Sequence, residues 1–262
     1  MSFKKIKFVL IFLLLYQTPL QSKSITSNNF DSNNLSKYFS GIVAFENKDN
    51  STALDFFNSS KILTTNHDPY LKKYMYSLVL ENKISQAINL IKKNKGESNT
   101  NFFEGYILLV IDSLKKNDLK RAKAYLNEID SLGQQDRLNS AILESFEQYL
   151  YVFKEKKITQ NKKNFGRLSI ISETFERCYL NDTAVDKYFS RLINDPESDY
   201  TRYTYFYLSY LIENNRIDEA KKIAEGIKYI NNTLLLSQGK NWIENENFEK
   251  IKKVFSCNNP ND

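Results

Sequence analysis

Ala53, Ala87 and Ala122 recur at intervals of 34 and 35 residues in the look-alike segments NSTALDFFNSS, KISQAINLIKK and LKRAKAYLNEI. Ala220 stands in a fourth, RIDEAKKIAEGI. A period of this length is the mark of a stacked helical array, in which one helix pair cannot bury its apolar face alone and leans on the next. Such arrays mostly bind proteins or peptides and rarely do chemistry.

The patterning between the alanines agrees. From Leu35 onward apolar residues fall three and four apart, and polar breaks such as KDNS (48–51), ENK (81–83) and KND (116–118) punctuate them. Breaks this short force neighbouring helices antiparallel. The pattern predicts pairs 35–48 with 50–64, 69–82 with 84–95, 101–117 with 119–131, 199–214 with 216–229, and 232–246 with 247–256. Asp68-Pro69 reads as cap and first turn of a helix. Residues 138–195 are less regular, with helices expected at 138–157, 165–180 and 183–193. No β-type alternation persists, and only 7 Gly and 4 Pro leave little material for a turn-rich β fold. The expected fold class is all-α, an α-solenoid of antiparallel helix pairs.

Residues 1–24 read as a secretory signal. Lys4, Lys5 and Lys7 precede an apolar run of nine residues, Phe8 to Tyr16, and Ser22-Lys23-Ser24 supplies small residues for a cut after Ser24. The run is short for a membrane span. An exported chain in the periplasm or cell envelope is expected, touching membrane only through this segment if it stays uncleaved. Residues 25–33 form a polar lead-in, 34–257 the repeat domain, and 258–262 a tail. No polar helix caps that end, so a continuation of the chain or a covering partner is expected there.

The signal also changes the charge reading. The formal charge of +6 includes four lysines before residue 25, and the remainder carries 33 basic against 31 acidic residues. A net of +2 removes the main support for a nucleic-acid partner. Cys178 and Cys257 are 79 residues apart, about two repeats. Stacked repeats touch only their neighbours, so both are expected as core residues rather than as a disulfide.

The 12-residue step from Gly41 to Ala53, with Phe57 four residues on and Ser60 three beyond, resembles the tetratricopeptide repeat. The step returns as Met75 to Ala87, Val110 to Ala122, Leu208 to Ala220 and Gly239 to Ile251. The resemblance covers about two thirds of the chain after the signal. It implies a right-handed superhelix with small residues at the helix crossing and with the first helix of each pair lining a concave groove. On that basis the groove residues are Tyr38, Ile42 and Phe45 from the first pair, Lys72, Tyr76 and Val79 from the second, Ile107, Ile111 and Leu114 from the third, and Arg202, Tyr205 and Ser209 from the late pair. Such a surface suits an amphipathic helix or an extended apolar peptide.

Tyr200, Tyr203, Tyr207 and Tyr210 form one helical stripe and read as packing. Lys154, Lys156, Lys157, Lys162, Lys163 and Arg167 read as a solvated connection. His67, the single histidine, reads as a turn residue. There is no phosphate loop, zinc spacing or EF-hand, so no cofactor and no metal are expected. The expected function is a non-enzymatic scaffold for a protein or peptide. The alternatives are an all-helical envelope hydrolase, the binding arm of a longer enzyme, or a self-associating structural module.

Overall fold

The computed structural model describes residues 31–65, 67–96, 101–133, 136–160, 163–194, 201–227 and 234–257. The signal, most of the lead-in, Tyr200, Lys162 and the tail fall outside these. Among the described residues the elements are thirteen α-helices and two short 3-10 turns, with no strand. They are α1 (Ser32–Glu46), α2 (Asn50–Asn58), α3 (Asp68–Leu80), α4 (Ile84–Asn94), α5 (Phe103–Lys115), α6 (Leu119–Ser131), α7 (Arg137–Glu155), α8 (Arg167–Tyr179), α9 (Val185–Ile193), α10 (Thr204–Glu213), α11 (Ile217–Glu225), α12 (Leu234–Glu244) and α13 (Phe248–Val254). The 3-10 turns are Lys61–Thr64 and Thr201–Tyr203.

Six hairpins close with one backbone device. Lys48, Asn82, Asn117, Asn181, Asn215 and Glu246 each adopt a left-handed conformation, with φ between 51° and 63°. The next residue's N–H reaches back five residues: Asp49 to the Ala44 carbonyl, Lys83 to Leu78, Asp118 to Ser113, Asp182 to Arg177, Arg216 to Leu211 and Asn247 to Trp242, at 2.7–3.0 Å. The left-handed residue itself donates three back, as Asn117 does to Leu114 at 2.8 Å. These two bonds are the Schellman arrangement, which satisfies carbonyls the helix would otherwise leave open. Asn is one of the few side chains that tolerates this backbone, and it fills four of the six positions. At Asp49 and Asp118 the carboxylate also caps the following helix, accepting from the Thr52 and Arg121 N–H groups.

The 12-residue register holds at the helix crossings. Ala53, Ala87, Ala122, Ala220 and Ile251 are fully enclosed, and so are Val110 and Leu208. At Gly41 an added Cβ would lie 2.8 Å from the Phe57 ring, and at Gly239 2.6 Å from the Tyr205 ring. Both glycines therefore mark close approach of an aromatic ring to the backbone.

Two apolar clusters result. One runs from Tyr38 to Leu150 and the other from Cys178 to Cys257. Helix α10 sits inside the second and is buried on nearly every side. That is why its sequence, TYFYLSYLIE, is apolar all round rather than striped. Within it Tyr207 stacks on Phe189 at 5.1 Å and donates to Asp186 at 2.8 Å, and Tyr210 is buried beside it. The packing reading of these two tyrosines holds.

Other expectations need correction. Helix α1 begins at Ser32, inside the stretch read as lead-in, because the Asp31 carboxylate caps it at the Asn33 N–H, 3.0 Å away. His67 occupies the capping position of α3, one residue before the Asp68 predicted. Its ring packs edge-on against Tyr38, 4.7 Å away, so it is more than a turn residue. The stretch read as irregular holds an intact hairpin, α8 with α9, and Thr174 lies seven residues before Asn181 as Gly41 lies before Lys48. The larger irregularity is α7. That helix has 19 residues, stands alone between α6 and α8, and ends on Lys156 with a single bond to the Val152 carbonyl.

The disulfide expectation is overturned. Cys178 at the end of α8 pairs with Cys257, with Cα atoms 5.1 Å apart. The two-repeat objection assumed that only helices bridge repeats. Here Phe255 leaves α13 in an extended conformation, and the chain beyond it runs along α10. Ser209 donates to the Phe255 carbonyl at 2.7 Å, while Ser256 and the Cys257 N–H are held by Glu213 at 2.6 and 3.2 Å. An extended strap thus spans the distance that helix stacking would not.

Replacing Asn117 with Val should lower unfolding free energy by about 1–2 kcal/mol, while Asn117→Gly should stay within about 0.5 kcal/mol of wild type. Denaturant melts that give both variants equal stability would remove the left-handed turn as the reason for Asn. Reducing the Cys178–Cys257 bond should cost about 2–4 kcal/mol, read as a lower melting temperature that alkylation makes permanent. An unchanged melt would show that the strap is held by its hydrogen bonds alone.

Candidate functional site

The first helices of successive pairs face one another across the repeats. Lys73 of α3 pairs with Glu46 of α1 at 3.0 Å and lies over the Phe45 ring at 4.6 Å. Lys72 pairs with Glu104 of α5 at 2.9 Å and lies over the Tyr76 and Phe102 rings at 5.8 and 5.7 Å. Burial opposes ionisation of Glu104, yet the Lys72 and Tyr76 hydrogen bonds hold its carboxyl below the ordinary range. Burial and the Glu104 charge push the Tyr76 hydroxyl well above its ordinary value.

The predicted groove residues divide into four fates. Tyr38 and Tyr205 are not surface residues. Tyr38 packs between Phe57 and Tyr70, with ring centroids 6.0 and 5.9 Å away. Tyr205 fills the space over Gly239 and donates to the Ile251 carbonyl at 3.4 Å. Both lie where neighbouring pairs press on the first helix, and the side of the helix that meets solvent is offset from them. Ser209 is likewise buried under the strap. Ile42, Phe45, Tyr76, Val79 and Ile107 are half-buried against the first cluster, beside Lys72. Arg202 is exposed and stacks over Tyr203 at 5.1 Å. Of the predicted groove residues, only Ile111 and Leu114 line a cavity of about 620 Å³.

This cavity belongs to the stretch read as irregular. Its walls are Ile111, Leu114 and Lys115 of α5; Phe146, Tyr149 and Phe153 of α7; Ile171, Phe175, Glu176 and Tyr179 of α8; Tyr203; Phe206 of α10; and the strap residues Phe255, Ser256 and Cys257. Helix α7 has no hairpin partner of its own, so α8 follows directly and an aromatic gap remains among α5, α7 and α10. The rings brace one another. Phe153 meets Tyr179 edge-on at 4.9 Å, and Phe175 meets Phe206 at 5.2 Å and Phe255 at 5.8 Å. Phe206 and Phe255 are 4.9 Å apart. Edge-to-face contacts of this kind fix ring orientation beyond what burial alone gives.

Glu176 lines the same cavity with 1% of its surface exposed. Burial pushes the Tyr149 hydroxyl up to about 12, against the hydrogen bond to Ser172 and with the Glu176 charge adding to the rise. Lys156 lies over the Tyr179 ring, its Nζ 4.5 Å from the centroid. The basic connection is otherwise a solvated run, with Lys154, Lys157 and Lys163 exposed.

The sequence carried a usable signal for this site. Phe146, Tyr149 and Phe153 stand on one helical face, and Phe175 and Tyr179 are four apart with Glu176 between them. Neither wall shows the Ala spacing, so both fell outside the repeat reading. Among the described residues no cluster of His, Cys, Asp and Glu fits a metal ion, and no helix is long and apolar enough to cross a membrane.

No family model matches the chain, and neither the curated proteins nor the solved structures hold a significant match to it.

Proposed function

We propose that the chain is an exported scaffold that captures a segment of another protein on the inner row of its first helices, without chemistry and without a cofactor. The observation that carries this reading is the cavity of about 620 Å³ walled by rings from α5, α7, α8, α10 and the strap. Braced aromatic walls need little reordering on binding, and a concavity of this size accepts one or two anchor side chains of a peptide.

The captured segment runs from this cavity along Ile107, Tyr76, Lys72, Phe45 and Ile42, half-buried residues that offer apolar contact between cations. A tetratricopeptide-like superhelix is the architecture this reading adopts, supported by the enclosed 12-residue positions. Export is supported by the Cys178–Cys257 pair, since such bonds persist in oxidising compartments. The envelope is the proposed location and a protein or peptide the proposed partner.

The test is a peptide-display selection on the oxidised chain. Enriched peptides should share apolar or aromatic anchors. Ile111→Glu, at a position 39% exposed, should weaken them at least tenfold with unchanged helicity, whereas Leu138→Glu on an exposed site outside the cavity should not. Peptides that bind both variants equally would move the binding surface elsewhere.

A further inference from the structure

Resting on that reading, we infer that the Cys178–Cys257 disulfide is a redox lock on the aromatic cavity, so that a dithiol reductant dismantles the wall and an occupied cavity protects the bond. The disulfide stands where two walls meet. One wall is α8, which supplies Phe175, Glu176 and Tyr179 and carries Cys178 among them. The other is the strap, which supplies Phe255, Ser256 and Cys257 itself. Hydrogen bonds from Ser209 and to Glu213 tie the strap to α10. Toward α8 it is held by the disulfide and by the contact of the Phe255 and Phe175 rings, 5.8 Å apart. The bond joins residues 79 apart in sequence, so opening it releases a long loop. The strap then keeps its bonds to α10, but its seam with α8 is free to part.

The chemistry is thiol–disulfide exchange. Cys257 is a wall residue of the cavity, whereas Cys178 is 1% exposed and no part of the lining. A thiolate of the reductant enters through the cavity and attacks the Cys257 sulfur. The sulfur–sulfur bond breaks and Cys178 leaves as its thiolate. The reductant's second thiol then displaces Cys257 from the mixed disulfide. The chain gains two electrons and two protons, and the dithiol becomes a disulfide. An anchor side chain seated in the cavity covers Cys257 and leans on Phe255, so it obstructs the attack and favours the closed wall. The coupling is reciprocal: the factor by which reduction weakens the ligand is the factor by which the ligand favours the oxidised pair. A disulfide remote from the site would show neither effect.

The probe is the apolar peptide acetyl-Leu-Phe-Ala-Phe-Leu-amide, titrated by calorimetry into the oxidised full chain and into the chain held reduced by dithiothreitol. Reduction should weaken binding about tenfold or more, with helicity unchanged below the melt. Saturating peptide should slow reduction by dithiothreitol by about the same factor, read as free thiols alkylated and counted by mass spectrometry. The double variant Cys178→Ala, Cys257→Ala should bind as the reduced chain does, with no dithiol present. Equal affinity of the oxidised and reduced chains would overturn the lock and leave the groove standing. So would a pair that resists dithiothreitol in the folded chain, or a loss of helicity on reduction, which would make the disulfide a staple of the whole fold. Absence of binding to the oxidised chain would remove the occupant on which the lock rests, and beside a failed display selection would overturn the capture reading as well.

Discussion

The left-handed residue at the end of each first helix is the constraint from which the rest of this molecule follows. It turns the chain in three residues, and so fixes where the second helix can start. In five of the six hairpins the second helix starts two residues after the turn, and the residues seven before and five after it are enclosed at the crossing; at Asn181 the helix starts later, at Val185. Only a small or well-fitted side chain can stand at that meeting, which is why alanine or a glycine against a ring recurs there. Repeat length is a consequence: the turns fall at 48, 82 and 117, then at 181, 215 and 246.

The gap between 117 and 181 is where the array departs from its own rule, and the candidate site lies there. Helix α7 takes the place of a full pair and closes with a looser turn at Lys156. One helix cannot fill the volume that two would, so α8 comes directly onto α7 and leaves a concavity that rings line rather than fill. The strap completes it from the far end. Phe255 reaches Phe175 and Phe206 because Ser209, Glu213 and Cys178 hold the chain along α10. The strap is thus part of the wall as well as a tie between hairpins.

Much of the fold was legible in the sequence, because the 12-residue step and the polar breaks report local chemistry. The pairs around Lys48, Asn82, Asn117, Asn215 and Glu246 fall where periodicity predicts. The sequence predicts the two helices of the α8–α9 hairpin but not their place in the array, because Thr174 holds the small position and the 12-residue step from it ends on Asp186, although Asn181-Asp182 repeats the Asn117-Asp118 signature. The disulfide was missed because it depends on an extended segment, and helix periodicity says nothing about how such a segment lies. Groove residues were the least legible. Tyr38 and Ile42 are one turn apart on the same helix, and whether each meets solvent or the next pair depends on the angle between pairs, which no local pattern encodes.

Hydrogen–deuterium exchange of the oxidised chain, with and without a display-selected peptide, addresses the central claim most directly. Slowed exchange confined to residues 146–153, 171–179 and 255–257, extending to α3 and α5 and absent from α4, α6 and α11, is the expected footprint. Protection that falls instead on α4, α6 and α11 would place the binding surface on the second helices and contradict a site built from the interrupted repeat and its strap.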